Sequence, residues 1–195
     1  MESIIAFAVQ AKSIIVIIHA ISGAVALGTT TVTDYLFFQF LKDLKINNRE
    51  SHTLGLLSHI LWTALALLIV SGCLLFLSDI ARYSHSSKFL VKCIVVGVIA
   101  INGYILHRIV TPRMVQLDFA TRTHRDRHIG LKRLAFACGG VSMFSWYLAF
   151  ILGMLDHIPV PFWILVIVYI AALVGVIITG QGVYWYYHRR PNNES

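Results

Sequence analysis

The chain has 195 residues, of which 57% are hydrophobic and only 13% charged, with a mean hydropathy of +0.75. A soluble domain carries roughly twice that share of charge, so a soluble globular fold is excluded and the chain reads as an integral membrane protein. The net charge of +7 does not mark a nucleic-acid binder, because the basic residues are sorted by segment. Twelve of the sixteen Lys and Arg residues fall in 42–50, in 108–133 and at 189–190, all on one side if each apolar run crosses once. The positive-inside rule makes that side cytoplasmic, which puts the N-terminus outside and the C-terminus inside. The segment RTHRDRHIGLKR is then a topology signal that touches anionic lipid, and no nucleic-acid partner is expected.

Spanning a bilayer takes about 20 apolar residues. The sequence supplies helices over about 12–41, 52–79, 87–111, 130–155 and 159–188. The expected fold is therefore an all-α membrane bundle of five transmembrane helices, a four-helix core plus one, forming a single domain over 1–195. Short connections make successive spans antiparallel neighbours. The opening MESIIAFAVQAK has an acid where a signal peptide has its basic region, and is expected to extend the first helix outward. Cys73, Cys93 and Cys138 lie inside apolar runs without a C-x-x-C pair, and read as small buried hydrophobes.

In the first span, His19 lies in the outer half and Asp34 in the inner half, fifteen residues apart. At 100° per residue they sit roughly 60° apart on one face and ~22 Å apart in height. Between them, Ser22, Gly23, Gly28 and the run Thr29 to Thr31 allow close approach of another backbone or a flat cofactor. The second span places His52 at the cytoplasmic edge and His59 two turns further in. The third carries Lys92 near one surface and His107 near the other, again fifteen residues apart. Asn102 and Gly103 lie between them, and Pro112 marks the end of the helix. The fourth span is a packing helix with Gly139, Gly140, Ser142 and Ser145. The fifth has Gln181 as a helix–helix hydrogen bonder and an aromatic belt from Tyr184 to Tyr187.

By depth these residues form two layers. The outer layer holds His19 and Lys92, with Asp156 and His157 at the rim. The inner layer holds Asp34, His59 and His107, with Asn102 and Gln181 deeper. Ionisable residues inside spans are costly and point to function. Three chemistries compete for these layers. His59 and His107, on adjacent helices at similar depth, are candidate axial ligands of a b-type haem. Asp34, His59 and His107 are alternatively candidates for a metal ion or a proton relay. In the third case the residues are structural, in a non-catalytic assembly subunit.

The first-span pattern His19-Ala-Ile-Ser-Gly23 with Gly28, together with SSKFLVKCIVVGVIAINGYILH in the third, resembles the superfamily of small helical membrane proteins that includes the CopD domain and the HemJ-type protoporphyrinogen oxidases. The resemblance spans about residues 14–114. It implies a cytochrome b-like four-helix core that binds haem b in a bacterial inner membrane, with a quinone or porphyrin partner. It also implies that His19 and Lys92 act as a functional pair. The combined expectation is a haem b protein of electron transfer or membrane oxidoreduction. His59, His107 and His19 are its candidate iron ligands, Gly23 and Asn102 line the cofactor, Lys92 is a catalytic group, and Asp34 orients a ligand or accepts a proton. The alternative is a transporter or an ion- or proton-handling protein that uses the two layers as stations. A homo-oligomer or a larger membrane complex is compatible with either.

Overall fold

A computed structural model describes residues 2–43, 48–115, 129–155 and 158–189. Among them every element is helical: α1 (Glu2–Gln10), α2 (Lys12–Asp43), α3 (Asn48–Ser78), α4 (Ile80–Ser84), α5 (Ser87–Ile105), α6 (Thr111–Val115), α7 (Ile129–Met154) and α8 (Phe162–Arg189). Five stretches are long and apolar enough to cross a membrane: Lys12–Leu36, His52–Ser78, Ser87–Arg113, Arg133–Met154 and Phe162–Gly182. The multi-pass helical bundle expected from composition is therefore the fold.

The helices are apolar around most of their circumference, so lipid covers the outside and little of the surface is polar. Within the bundle, α2 packs along α3 and also against α7, while α7 is flanked by α5 and α8. The α1 helix continues the line of the first span after Ala11 and lays its fully buried Ala8 against α3. Small side chains set the spacing of the first pair. A Cβ on Gly23 would touch Leu68 Cδ1 at 3.7 Å, and one on Gly72 would touch the His19 ring at 3.5 Å. Ala26, Ala64, Leu65, Val95, Ile99 and Trp146 fill the centre between α2, α3, α5 and α7.

The α3–α5 seam is made by side chains. Trp62 lies where Gly103 offers no Cβ, at a would-be contact of 3.6 Å, and Phe76 stacks on Phe89 at 5.4 Å. The connection between these helices is fixed by caps. Asp79 accepts the Arg82 N–H at its start, and Ser86 accepts the Phe89 N–H to begin α5.

The fifth span docks on the outside of this four-helix core. A Cβ at Gly140 would lie 2.9 Å from Val176 Cγ1, and one at Gly180 would lie 3.5 Å from the Phe136 carbonyl oxygen. The two backbones thus meet where side chains are absent, as small residues permit in lipid. Gln181 accepts from Arg133 Nε at 2.8 Å and donates to the Arg133 carbonyl at 3.0 Å, the helix–helix bond expected of it. Ser145 and the Tyr169 hydroxyl pair at 3.0 Å in the same seam.

Pro112 does not end the third span. The helix runs through it to Val115, and the strain is absorbed just before it. Leu106–Val110 is a π turn, closed by the Thr111 N–H donating to the Leu106 carbonyl. A proline ring has no N–H and crowds the carbonyl four residues earlier. Widening the preceding turn relieves that contact and keeps the helix going.

Candidate functional site

Two clusters of polar side chains lie inside the core, one at the Asp34 end of the bundle and one at the Lys92 end. The Asp34 end contains a cavity of about 80 Å³ bordered by all four core helices. From α2 come Thr30, Thr33 and Asp34, from α3 Ser58 and Trp62, from the third span Gly103, His107 and Thr111, and from α7 Gly139, Ser142 and Trp146. This volume accommodates a small ion and a few waters. It is well below the roughly 300–1,000 Å³ of pockets that hold organic ligands.

Asp34 is only 7% exposed, and among the described residues its Oδ2 has no hydrogen-bond partner. Thr30, one turn earlier on the same face, is 1% exposed and its Oγ1 is also unpartnered. The neighbouring threonines behave differently. Thr31 donates to the Leu27 carbonyl at 2.8 Å, and Thr33 to the Thr29 carbonyl at 2.7 Å. Back-bonding to the helix is the ordinary fate of a hydroxyl in an apolar span. A buried polar atom without a partner costs about 1–3 kcal/mol, and an unpaired carboxylate more. These two atoms stand one turn apart, both on residues that border one cavity.

At the Lys92 end the polar groups are largely engaged. Ser71 donates its only proton to the Leu67 carbonyl at 2.6 Å, so its oxygen accepts the His19 Nδ1–H at 2.9 Å. Lys92 lies close enough to His19 to act on it electrostatically. Its ammonium is beside Gly153, where a Cβ would stand 3.5 Å from Nζ. Lys88 donates to the Leu155 carbonyl and ties α5 to the end of α7.

His19 and Lys92 thus lie at one end of the bundle, and Asp34 and His107 border one cavity at the other. The structure does not bring His59 to them. His59 is exposed on α3, and the cavity is bordered instead by Ser58 and Trp62 on either side of it in sequence. His107 borders the cavity but is itself largely exposed. Asn102 is buried, but its amide donates to the Cys138 carbonyl at 3.0 Å and joins α5 to α7. Gly23 makes room for Leu68, and Gln181 lies in the α7–α8 seam rather than the inner layer. Cys73 and Cys93 are exposed and unbridged, and Cys138 alone is buried. Among the described residues, no group of three His, Cys, Asp or Glu side chains could hold a metal ion. Asp156, His157 and most of the basic 122–133 segment lie outside the described residues, as do the side chains of His188, Tyr184, Tyr186 and Tyr187.

Thr30 was not singled out from sequence, although it stands four residues before Asp34 and so shares its face. Comparison with protein families, curated proteins and solved structures returns no match.

Proposed function

We propose that this multi-pass membrane protein handles a small cation or a proton, with the Asp34 carboxyl as its station inside the bilayer. The observation that carries this reading is the unpartnered Asp34 Oδ2, 93% buried within the span and bordering a cavity shared by four helices. Such a group exists in a membrane because something exchanges onto it. The apolar centre around Ala26, Leu65 and Ile99 separates this cavity from the His19–Lys92 cluster. That separation gives the bundle an ion-accepting end and a cationic end, as alternating access requires of stations on either side of a barrier. By the charge bias of its segments, the Asp34 end faces the cytoplasm of a bacterial inner membrane. Reconstituted in liposomes, the wild type should carry an Asp34-dependent cation or proton flux. Asp34→Asn should abolish it while the protein stays folded, and equal fluxes in the two proteins would overturn the reading.

A second reading, haem b binding in membrane oxidoreduction with a quinone or porphyrin partner, is favoured by one observation. His19 Nδ1 is hydrogen-bonded to Ser71, the kind of contact that orients a ligating imidazole. On that reading His19 holds the iron, which supplies the redox chemistry, and Lys92 sets the charge beside it. A reducible Soret band in purified protein, lost in His19→Ala, is the expected result. Colourless protein from haem-replete cells would remove this reading.

A further inference from the structure

Resting on the cation-handling reading above, we infer that the Asp34 cavity is a site for a dehydrated monovalent alkali cation of sodium size. The donors are hard oxygens, which suit such ions over softer metals. Asp34 supplies one negative charge, and Thr30 supplies an uncommitted hydroxyl one turn away. Ser58 and Ser142 border the same cavity from facing helices. A single carboxylate balances one positive charge and leaves a divalent ion undercompensated.

The π turn provides an independent indication. In an α-helix the Thr111 N–H would bond the His107 carbonyl. Here it bonds the Leu106 carbonyl instead. The next residue, Pro112, has no N–H to offer. The His107 carbonyl thus lacks its α-helical donor, on a residue that borders the cavity. A helix irregularity that leaves a carbonyl without its α donor, on the same cavity as a buried carboxylate, offers the kind of backbone oxygen with which membrane carriers hold alkali cations. The cavity of about 80 Å³ leaves room for an ion that sheds part of its water.

The test is thermal unfolding of the purified full-length protein, titrated with NaCl at ionic strength held constant by choline chloride. Sodium should raise the melting temperature saturably, as ligand linkage requires. Asp34→Asn should lose the shift entirely. Thr30→Ala should weaken the apparent affinity on the order of 10-fold, the usual cost of one lost bond to a charge. Pro112→Ala lets the π turn close to α geometry, which returns the Thr111 N–H to the His107 carbonyl, and should weaken sodium binding with Asp34 intact. Identical melting curves in sodium and choline for the wild type would overturn the inference. An Asp34-dependent flux that persists without sodium would also overturn it, while leaving the proposed function standing with the proton as cargo.

Discussion

The two ends of the four-helix core are built on opposite principles. At the Lys92 end, His19, Ser71 and Lys88 have hydrogen-bond partners, Phe76 and Tyr83 pack on Phe89, and caps fix the α3–α5 connection. At the Asp34 end, a carboxylate oxygen and a hydroxyl are buried without partners, a cavity separates the helices, and one helix is locally unwound. Polar satisfaction stabilises a membrane bundle modestly, while unsatisfied buried groups cost more than a bond returns. The comparison teaches that the Lys92 end is built for packing and polar satisfaction, while the Asp34 end leaves buried polar atoms open to a cavity, which is what the proposed ion site requires.

The largest expected effect is at Asp34. Asp34→Asn should abolish flux and yet leave the melting temperature equal or higher, because it removes an unpaired buried charge. A clear loss of stability would mean that the carboxylate is holding the bundle, and the contrast between the ends would disappear. Next is the docking of the fifth span. Gly140→Leu drives a side chain into a site where even a Cβ would stand 2.9 Å from Val176. Overpacking of this kind costs about 1–3 kcal/mol, so a lowered melting temperature is expected. A smaller loss should follow Ser145→Ala, which removes the bond to Tyr169; interhelical bonds in membranes average roughly 0.6 kcal/mol. Its flux should remain that of the wild type, since this seam lies outside the four-helix cavity. The smallest effect is at His59. His59→Ala changes an exposed side chain, so stability should move within about 0.5 kcal/mol and flux should be unchanged. A large loss of either would return His59 to the site.

Much of this was legible in the sequence. The five spans follow from apolar runs that only lipid can accommodate, and residue depth follows from counting along each helix. Depth alone put His19 level with Lys92 and Asp34 level with His107. The direction in which each helix faces was not legible. Periodicity fixes the angle between two residues of one helix, but not the rotation of that helix against its neighbours. His59 shares the depth of His107 and still faces away, because Ser58 and Trp62 take the inward positions. The glycines of the first span left open whether another helix or a flat cofactor comes close; Leu68 packs at Gly23 and Trp62 at Gly103, while the space beside Gly28 is open. Pro112 signalled a break but not its form, since a π turn and a helix end have the same local signature.

The central claim is that Asp34 presents an unpaired, exchangeable carboxyl within the lipid-embedded core. A hydrophobic carbodiimide reacts with such a carboxyl from the hydrocarbon phase, and the adduct is located by peptide mass spectrometry. Of the nine Asp and Glu residues in the chain, Asp34 should take the label first, more slowly when sodium is present. Labelling that spares Asp34, or that proceeds equally in Asp34→Asn, would contradict the account.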